Sequence, residues 1–127
     1  MRTAISAAII EKEKLLVVEK NQTWMMPGGK LNADESDLEC LIRKIGEDLS
    51  GTKIKNIKYF TEFYGITPHK KDIIKIKVYF ADINGNLNSP SNEIKKYDWT
   101  GNKYKKNLSD ITIQVMENLI KEGYIRR

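Results

Sequence analysis

The chain has little of what locks a fold by covalent bonds or by zinc. Its one cysteine, Cys40, excludes an intrachain disulfide, and its one histidine, His69, leaves no zinc-ligand cluster. No apolar run reaches the ~18–20 residues that a membrane span needs, so no membrane partner is expected. Met1-Arg2 and the apolar stretch Thr3 to Ile10 resemble the start of a signal peptide. However, Glu11-Lys12-Glu13-Lys14 follows at once and a second apolar run resumes at Leu15, which reads as a strand hairpin. A reducing cytoplasm is the expected setting. Repeats, low-complexity tracts and linkers are missing, so residues 1–127 are expected to form one domain. Arginine is scarce too: among 22 basic residues only Arg2, Arg43, Arg126 and Arg127 are arginine. The net charge of +5 suits phosphate-bearing partners in general. Base readout leans on arginine, though, and a lysine-rich background explains the excess more simply.

What is present suits a compact fold. Of the 127 residues 40% are hydrophobic, enough for a core, and 31% are charged, an ordinary share for a globular chain. Thr3 to Ile10 and Lys14 to Lys20 read as strands. Trp24 to Pro27 is a short extended piece that runs into a turn at Gly28-Gly29. Lys30 to Glu35 is a polar loop. A helix follows, capped by Ser36 with Glu39 completing a capping box and Gly51 at its far end. Its apolar stripe is expected to be Leu38, Leu41, Ile42, Ile45 and Leu49. Gly46, inside that helix, has no evident structural reason.

Lys53 to Tyr64 and Ile73 to Ile83 read as long strands, the second alternating well, with loops at Gly65 to Asp72 and Asn84 to Asn92. Ile94 to Trp99 is a short strand. Ser109 caps a last helix bearing Ile111, Val115, Met116, Leu119 and Ile120 on one face, with Gly123 at its end. Strands interleaved with two helices predict an α/β (α+β) fold, a mixed sheet with a helix on each face.

The chemistry is concentrated between Gly29 and Gly51. With Leu38 at the centre of the buried face, Cys40, Arg43, Lys44 and Glu47 fall on the opposite side and Asp48 at its edge. Glu47 and Asp48 are adjacent hard carboxylates on a rigid helix beside a glycine turn, an arrangement that suits Mg²⁺ or Mn²⁺. The glycine turn lets a backbone carbonyl approach such an ion. Taken alone, the pattern is more simply that of a solvated face with ordinary ion pairs.

The full spacing points further. It resembles the box of the Nudix (MutT-like) hydrolases, G-x5-E-x7-R-E-U-x-E-E-x-G-U with U aliphatic: Gly29, Glu35, Arg43, Ile45 and Glu47 match, and Asp48 replaces a glutamate. Upstream, Trp24-Met25-Met26-Pro27-Gly28-Gly29 resembles the family's entry to the box. Downstream, Ser91-Asn92-Glu93-Ile94 with Trp99 resembles its glutamate-isoleucine segment. Three positions depart. Ser50 and Gly51 look like a helix cap displaced by one residue. Lys44 stands where the family has the glutamate of Arg-Glu. A charged lysine neither binds metal nor serves as a base. At ~6 Å and an effective dielectric of ~20 it would repel a divalent ion by roughly 5 kcal/mol before its long stem swings away. It is also suited to hold a substrate phosphate.

The resemblance implies the Nudix fold and a metal-dependent attack of water on a phosphorus of a nucleoside diphosphate derivative. Carried over residue by residue, it implies Glu47, Asp48 and the carbonyl of Gly29 as ligands of Mg²⁺ or Mn²⁺, with Glu35 as an outer or additional ligand. Arg43 would orient the carboxylates. Glu93, the best remaining base, would also serve as a ligand. Lys30, Lys44 and, more weakly, Lys20 are candidates for phosphate. Met26, with Trp24 and Tyr64, is a candidate for the nucleobase, although packing is the preferred reading for Trp24. His69 is read as surface and Cys40 as incidental. A working hydrolase is preferred. The alternatives are an impaired nucleotide-binding module and an RNA 5′-end pyrophosphohydrolase, the latter not favoured. A monomer or a homodimer is expected.

Overall fold

The computed structural model describes residues 2–66, 72–85, 87 and 96–127. Alternating and continuous apolar runs form β1 (Arg2–Ala8) and β3 (Lys14–Lys20), and the short strands β2 (Ile10–Glu11), β4 (Thr23–Met25) and β5 (Gly28–Lys30) lie between and after them. The helix α1 (Asp37–Asp48) follows, then β6 (Thr52–Ile66), β7 (Ile73–Gly85), β8 (Lys96–Thr100) and the helix α2 (Asp110–Lys121).

The expected mixed sheet is present, in the order β5-β1-β7-β6. β1 runs parallel to β7 and antiparallel to β5, and β6 is antiparallel to β7. The remaining strands form a second, antiparallel sheet in which β3 pairs with β2, β4 and β8. Sequence periodicity has no signal for which strands share a sheet, so one sheet was expected where two form. Ile94, the expected start of the last strand, lies outside the described residues.

Two apolar layers hold the elements together. Ile5, Ala7, Leu16 and Val18 pack with Leu41 and Ile45 of α1. Ala8, Leu15, Val17 and Val78 pack with Val115, Met116 and Leu119 of α2. Neighbouring residues of β3 thus face different layers. That is why Leu15 to Val18 is an unbroken apolar run, as expected of a strand covered on both faces.

Both helix starts form as the sequence indicates. The Ser36 Oγ accepts from the Glu39 N–H at 3.1 Å and Glu39 Oε1 accepts from the Ser36 N–H at 2.9 Å. The Ser109 Oγ accepts from the Thr112 N–H at 3.2 Å.

The buried face of α1 is shifted from the expected one, although Leu41, Ile45 and Leu49 are buried as expected. Leu38 and Ile42 are 46% and 55% exposed, while Cys40, Leu41, Ile45 and Asp48 are buried. A polar tether accounts for the rotation. Asp37 accepts from the Tyr79 hydroxyl at 2.5 Å and from the Lys77 ammonium at 3.2 Å, which fixes the start of the helix on β7. Burial alone would raise the Asp37 pKa, but the Tyr79 hydroxyl and the Lys77 ammonium outweigh it and hold the group ionised. Tyr79 is pushed up to about 12 by burial and by the hydrogen bond to Asp37.

Gly28 and Gly29 are also not a turn. They are strand residues, with Ser6 opposite Gly28 and Ile5 opposite Gly29. Gly28 adopts a φ of +149°, and a Cβ there would lie 2.1 Å from the Ile5 carbonyl oxygen. The glycine is therefore required for close approach of two backbones rather than for a reversal of the chain.

Candidate active site

The pairing of β5 with β1 places Gly29 and Lys30 alongside α1, and the rotated helix turns Arg43, Lys44, Glu47 and Asp48 toward them. Together with Lys20 at the end of β3 and Asn32 they line a cleft of about 510 Å³. Four cations and two carboxylates of one small cleft thus come from three separate elements.

Arg43 is its hub. Its Nε donates to Glu35 Oε2 at 2.6 Å and an Nη to Glu35 Oε1 at 2.9 Å, a bidentate fork. The same nitrogen donates to the Lys30 carbonyl at 3.3 Å, and the other Nη to Glu47 Oε1 at 3.3 Å. Glu35 also accepts from the Asn32 N–H at 3.0 Å. The Arg43 hydrogen bonds, then the Asn32 N–H, pull the Glu35 carboxyl down from its ordinary 4.5 to about 2, while Arg43 itself is pushed upward by its bonds to Glu35. Because the folded value is depressed, the ionised fork stabilises the fold above pH 4.5, and that contribution is lost as pH falls toward about 2. The expected outcome is a stability gap between wild type and Glu35→Gln that is constant from neutral pH to about 5, narrows below 4.5 and closes near 2. Urea unfolding midpoints across this range measure it; a gap unchanged at pH 2 would contradict the fork.

Lys44 does not swing out. Its ammonium lies 3.2 Å from Asp48 Oδ2, with side-chain exposures of 18% and 7%. Its stem passes directly under Gly29, where an added Cβ would lie 2.6 Å from Lys44 Cε. Cys40, expected on the polar face, is fully buried behind the cleft, its thiol 3.4 Å from the Lys30 carbonyl and 3.7 Å from that of Gly29. Burial pushes its thiol up, which agrees with its having no activated thiolate.

Glu47, Asp48 and Gly29 are therefore together, and their oxygens are the hard donors that Mg²⁺ or Mn²⁺ takes. Among the described residues no three acidic, histidine or cysteine side chains converge as a metal cluster. Glu35 does not line the cleft; both its oxygens face Arg43. Glu93 and His69 lie outside the described residues.

A second, mainly apolar pocket of about 410 Å³ adjoins the cleft and shares Lys20, Gly29, Lys30 and Asp48 with it. Met26, expected near a base, lines this pocket, whereas Tyr64 lines neither cavity. Trp24 packs against the layer beneath α2, with the Lys106 ammonium 5.3 Å from its ring centroid. Sequence reading missed Ser6, Ile74, Ile76, Asp110 and Ile111 of this pocket. Their one signal is positional: they sit on β1, on β7 and at the start of α2, and nothing in their spacing marks them.

Solved structures share this architecture. A MutT NUDIX hydrolase from Burkholderia pseudomallei matches with a TM-score of 0.79 at 20% identity, over 91% of this chain and 95% of that one. A UDP-X diphosphatase matches at 0.81 and 22% identity, over 97% of this chain but 62% of that one. An ADP-ribose pyrophosphatase from Streptococcus suis matches at 0.67 and 15% identity, over 98% and 96% of the two chains. At these identities the likeness shows the fold. Among curated proteins no relative matches this chain. Among the described residues no helix is long and apolar enough to cross a membrane. The NUDIX domain model matches residues 1–103. Those residues hold the glycine strand, the forked arginine and the paired acids of the cleft: the chain belongs to the Nudix family, hydrolases of nucleoside diphosphate-linked compounds.

Proposed function

We propose that the protein is a metal-dependent pyrophosphohydrolase. It would take the diphosphate of a nucleoside diphosphate derivative in the charged cleft and the nucleoside end in the adjoining apolar pocket. The observation that carries this is the adjacency of the two cavities, which meet at Lys20, Gly29, Lys30 and Asp48. An apolar pocket with a few polar groups, opening onto fixed cations, matches a ligand with a flat base at one end and phosphates at the other.

Lys20 and Lys30 bind phosphate oxygens in this reading, and Lys44 turns from Asp48 to the same anion. Met26 contributes to the nucleoside pocket. Arg43, held by Glu35, fixes Glu47. Glu47, Asp48 and the Gly29 carbonyl would hold Mg²⁺ or Mn²⁺, which when bound polarises the phosphates and lowers the pKa of water. Glu93 is the proposed base that receives the proton of the attacking water. The water oxygen bonds to one phosphorus and the bridging P–O bond breaks, giving a nucleoside monophosphate and the phosphorylated remainder. Charge neutralisation and positioning supply most of the rate.

A second reading, a nucleotide-binding module with little turnover, is favoured by one observation: Asp48 is already countered by Lys44. The deciding measurement is phosphate release from nucleoside diphosphate sugars, nucleoside triphosphates, dinucleoside polyphosphates and capped RNA, with Mg²⁺ and with Mn²⁺. Metal-dependent turnover of one class, reduced at least about a hundredfold by Glu47→Gln, is the expected result. No turnover across the panel, in folded protein that still binds nucleotide, would establish the binding module instead.

A further inference from the structure

Glu35, Glu47 and Asp48 each face a cation carried by α1. Arg43 holds Glu35 and Glu47, and Lys44 holds Asp48. The Lys44 pair is the more enclosed, with Asp48 7% exposed at its side chain. Lysine four residues before an acid is the weaker order for an ion pair along a helix, so helical spacing alone does not favour it. Burial does: a carboxylate withdrawn from water must be countered.

The backbone adds a second constraint. The Lys44 stem fills the space that a side chain at position 29 would occupy, with Cγ, Cδ and Cε all within 3.0 Å of an ideal Cβ there. The ammonium thus stands between the glycine strand and Asp48, the place where the hydrolase reading sets the divalent ion. An ammonium and a divalent cation cannot share one buried carboxylate at contact distance without strong repulsion.

We infer that Lys44 is a tethered competitor for the metal: its ammonium and a divalent cation exclude each other at Asp48. Asp48 becomes a ligand only when Lys44 is drawn away. The protein consequently binds Mg²⁺ or Mn²⁺ weakly by itself, and removal of the Lys44 charge tightens that binding. The inference rests on the hydrolase reading for the place of the ion, but its test needs no turnover.

The experiment measures Mn²⁺ affinity of the full chain, without nucleotide, by titration calorimetry and by the electron paramagnetic resonance of free Mn²⁺. Lys44→Met keeps the stem and removes the charge; Lys44→Arg keeps the charge. The expected result is Mn²⁺ binding at least about tenfold tighter for Lys44→Met than for wild type, and no gain for Lys44→Arg. Lys44→Gln replaces Lys44→Met should the latter fail to fold. Equal affinity in wild type and the neutral variant overturns the inference, including the case in which neither binds. A gain in Lys44→Arg overturns it as well. Tightened Mn²⁺ binding with no turnover of any substrate would sink the hydrolase reading alone. Turnover with unchanged Mn²⁺ affinity would sink this inference alone.

Discussion

Arg43→Ala is expected to reduce turnover by at least about a hundredfold while leaving the chain folded at neutral pH. The guanidinium joins three parts of the site: Glu35 in the loop, the Lys30 carbonyl on β5 and Glu47 on α1. Alanine removes all of these bonds at once. Glu35, 15% exposed, loses the cation that counters it, and Glu47 loses the contact that aims it at the cleft. Lysine should restore little, because a single ammonium cannot reproduce a planar fork on two carboxylate oxygens. Steady-state kinetics of wild type, Arg43→Ala and Arg43→Lys on the substrate class found in the panel provide the check. A loss of less than about threefold in Arg43→Ala would show the fork to be dispensable.

Gly28→Ala has the largest expected effect on stability, a loss of about 3 kcal/mol or more. Two penalties combine. The φ of +149° is strained for any residue with a side chain, and the new methyl would meet the Ile5 carbonyl oxygen at 2.1 Å and Ser6 Cα at 2.7 Å. Both obstacles are backbone of the partner strand, so relief requires β5 to part from β1. Gly46→Ala is the contrast: a Cβ there meets nothing within 4 Å, and helix propensity favours alanine by about 1 kcal/mol. Urea unfolding of both variants measures the difference. A Gly28→Ala protein as stable as wild type would show that β5 is not held against β1 as described.

Much of this was legible from local signals. The Ser36 and Ser109 caps, the strand Lys14–Lys20 and the family resemblance rest on neighbouring residues, and such signals survive folding. The lining of the cleft by Gly29, Lys30, Arg43, Lys44, Glu47 and Asp48 follows from the box spacing.

What was missed depends on distant residues. Leu41, Ile45 and Leu49 of the expected stripe are buried, but Leu38 and Ile42 are exposed although they fit an apolar stripe equally well. The choice is made by Tyr79 and Lys77, some forty positions away, through Asp37. The glycine pair looked like a turn because glycine marks turns and close backbone approach alike. Only the partner strand separates the two. The pocket residues on β1, β7 and α2 form no motif, since they become neighbours only when the two sheets meet. The hold of Asp48 on Lys44 could not be read from spacing either, because it depends on burial and on the space above Gly29.

The parallel pairing of β1 with β7 has a consequence for how the chain comes to be folded at all. Arg2 lies opposite Ile74 and Ala8 opposite Phe80, so the two strands are separated by roughly seventy residues of chain. During synthesis at about 5–20 residues per second, β1 waits several seconds before its inner neighbour exists. Its other neighbour, β5, arrives earlier but spans only three residues, Gly28–Lys30. For that interval Ile5 and Ala7, both fully buried in the finished fold, have no complete sheet to enter. The nascent protein thus carries an open strand edge until β7 has been made, a period in which chaperone cover and a low local concentration of sister chains matter more than final stability.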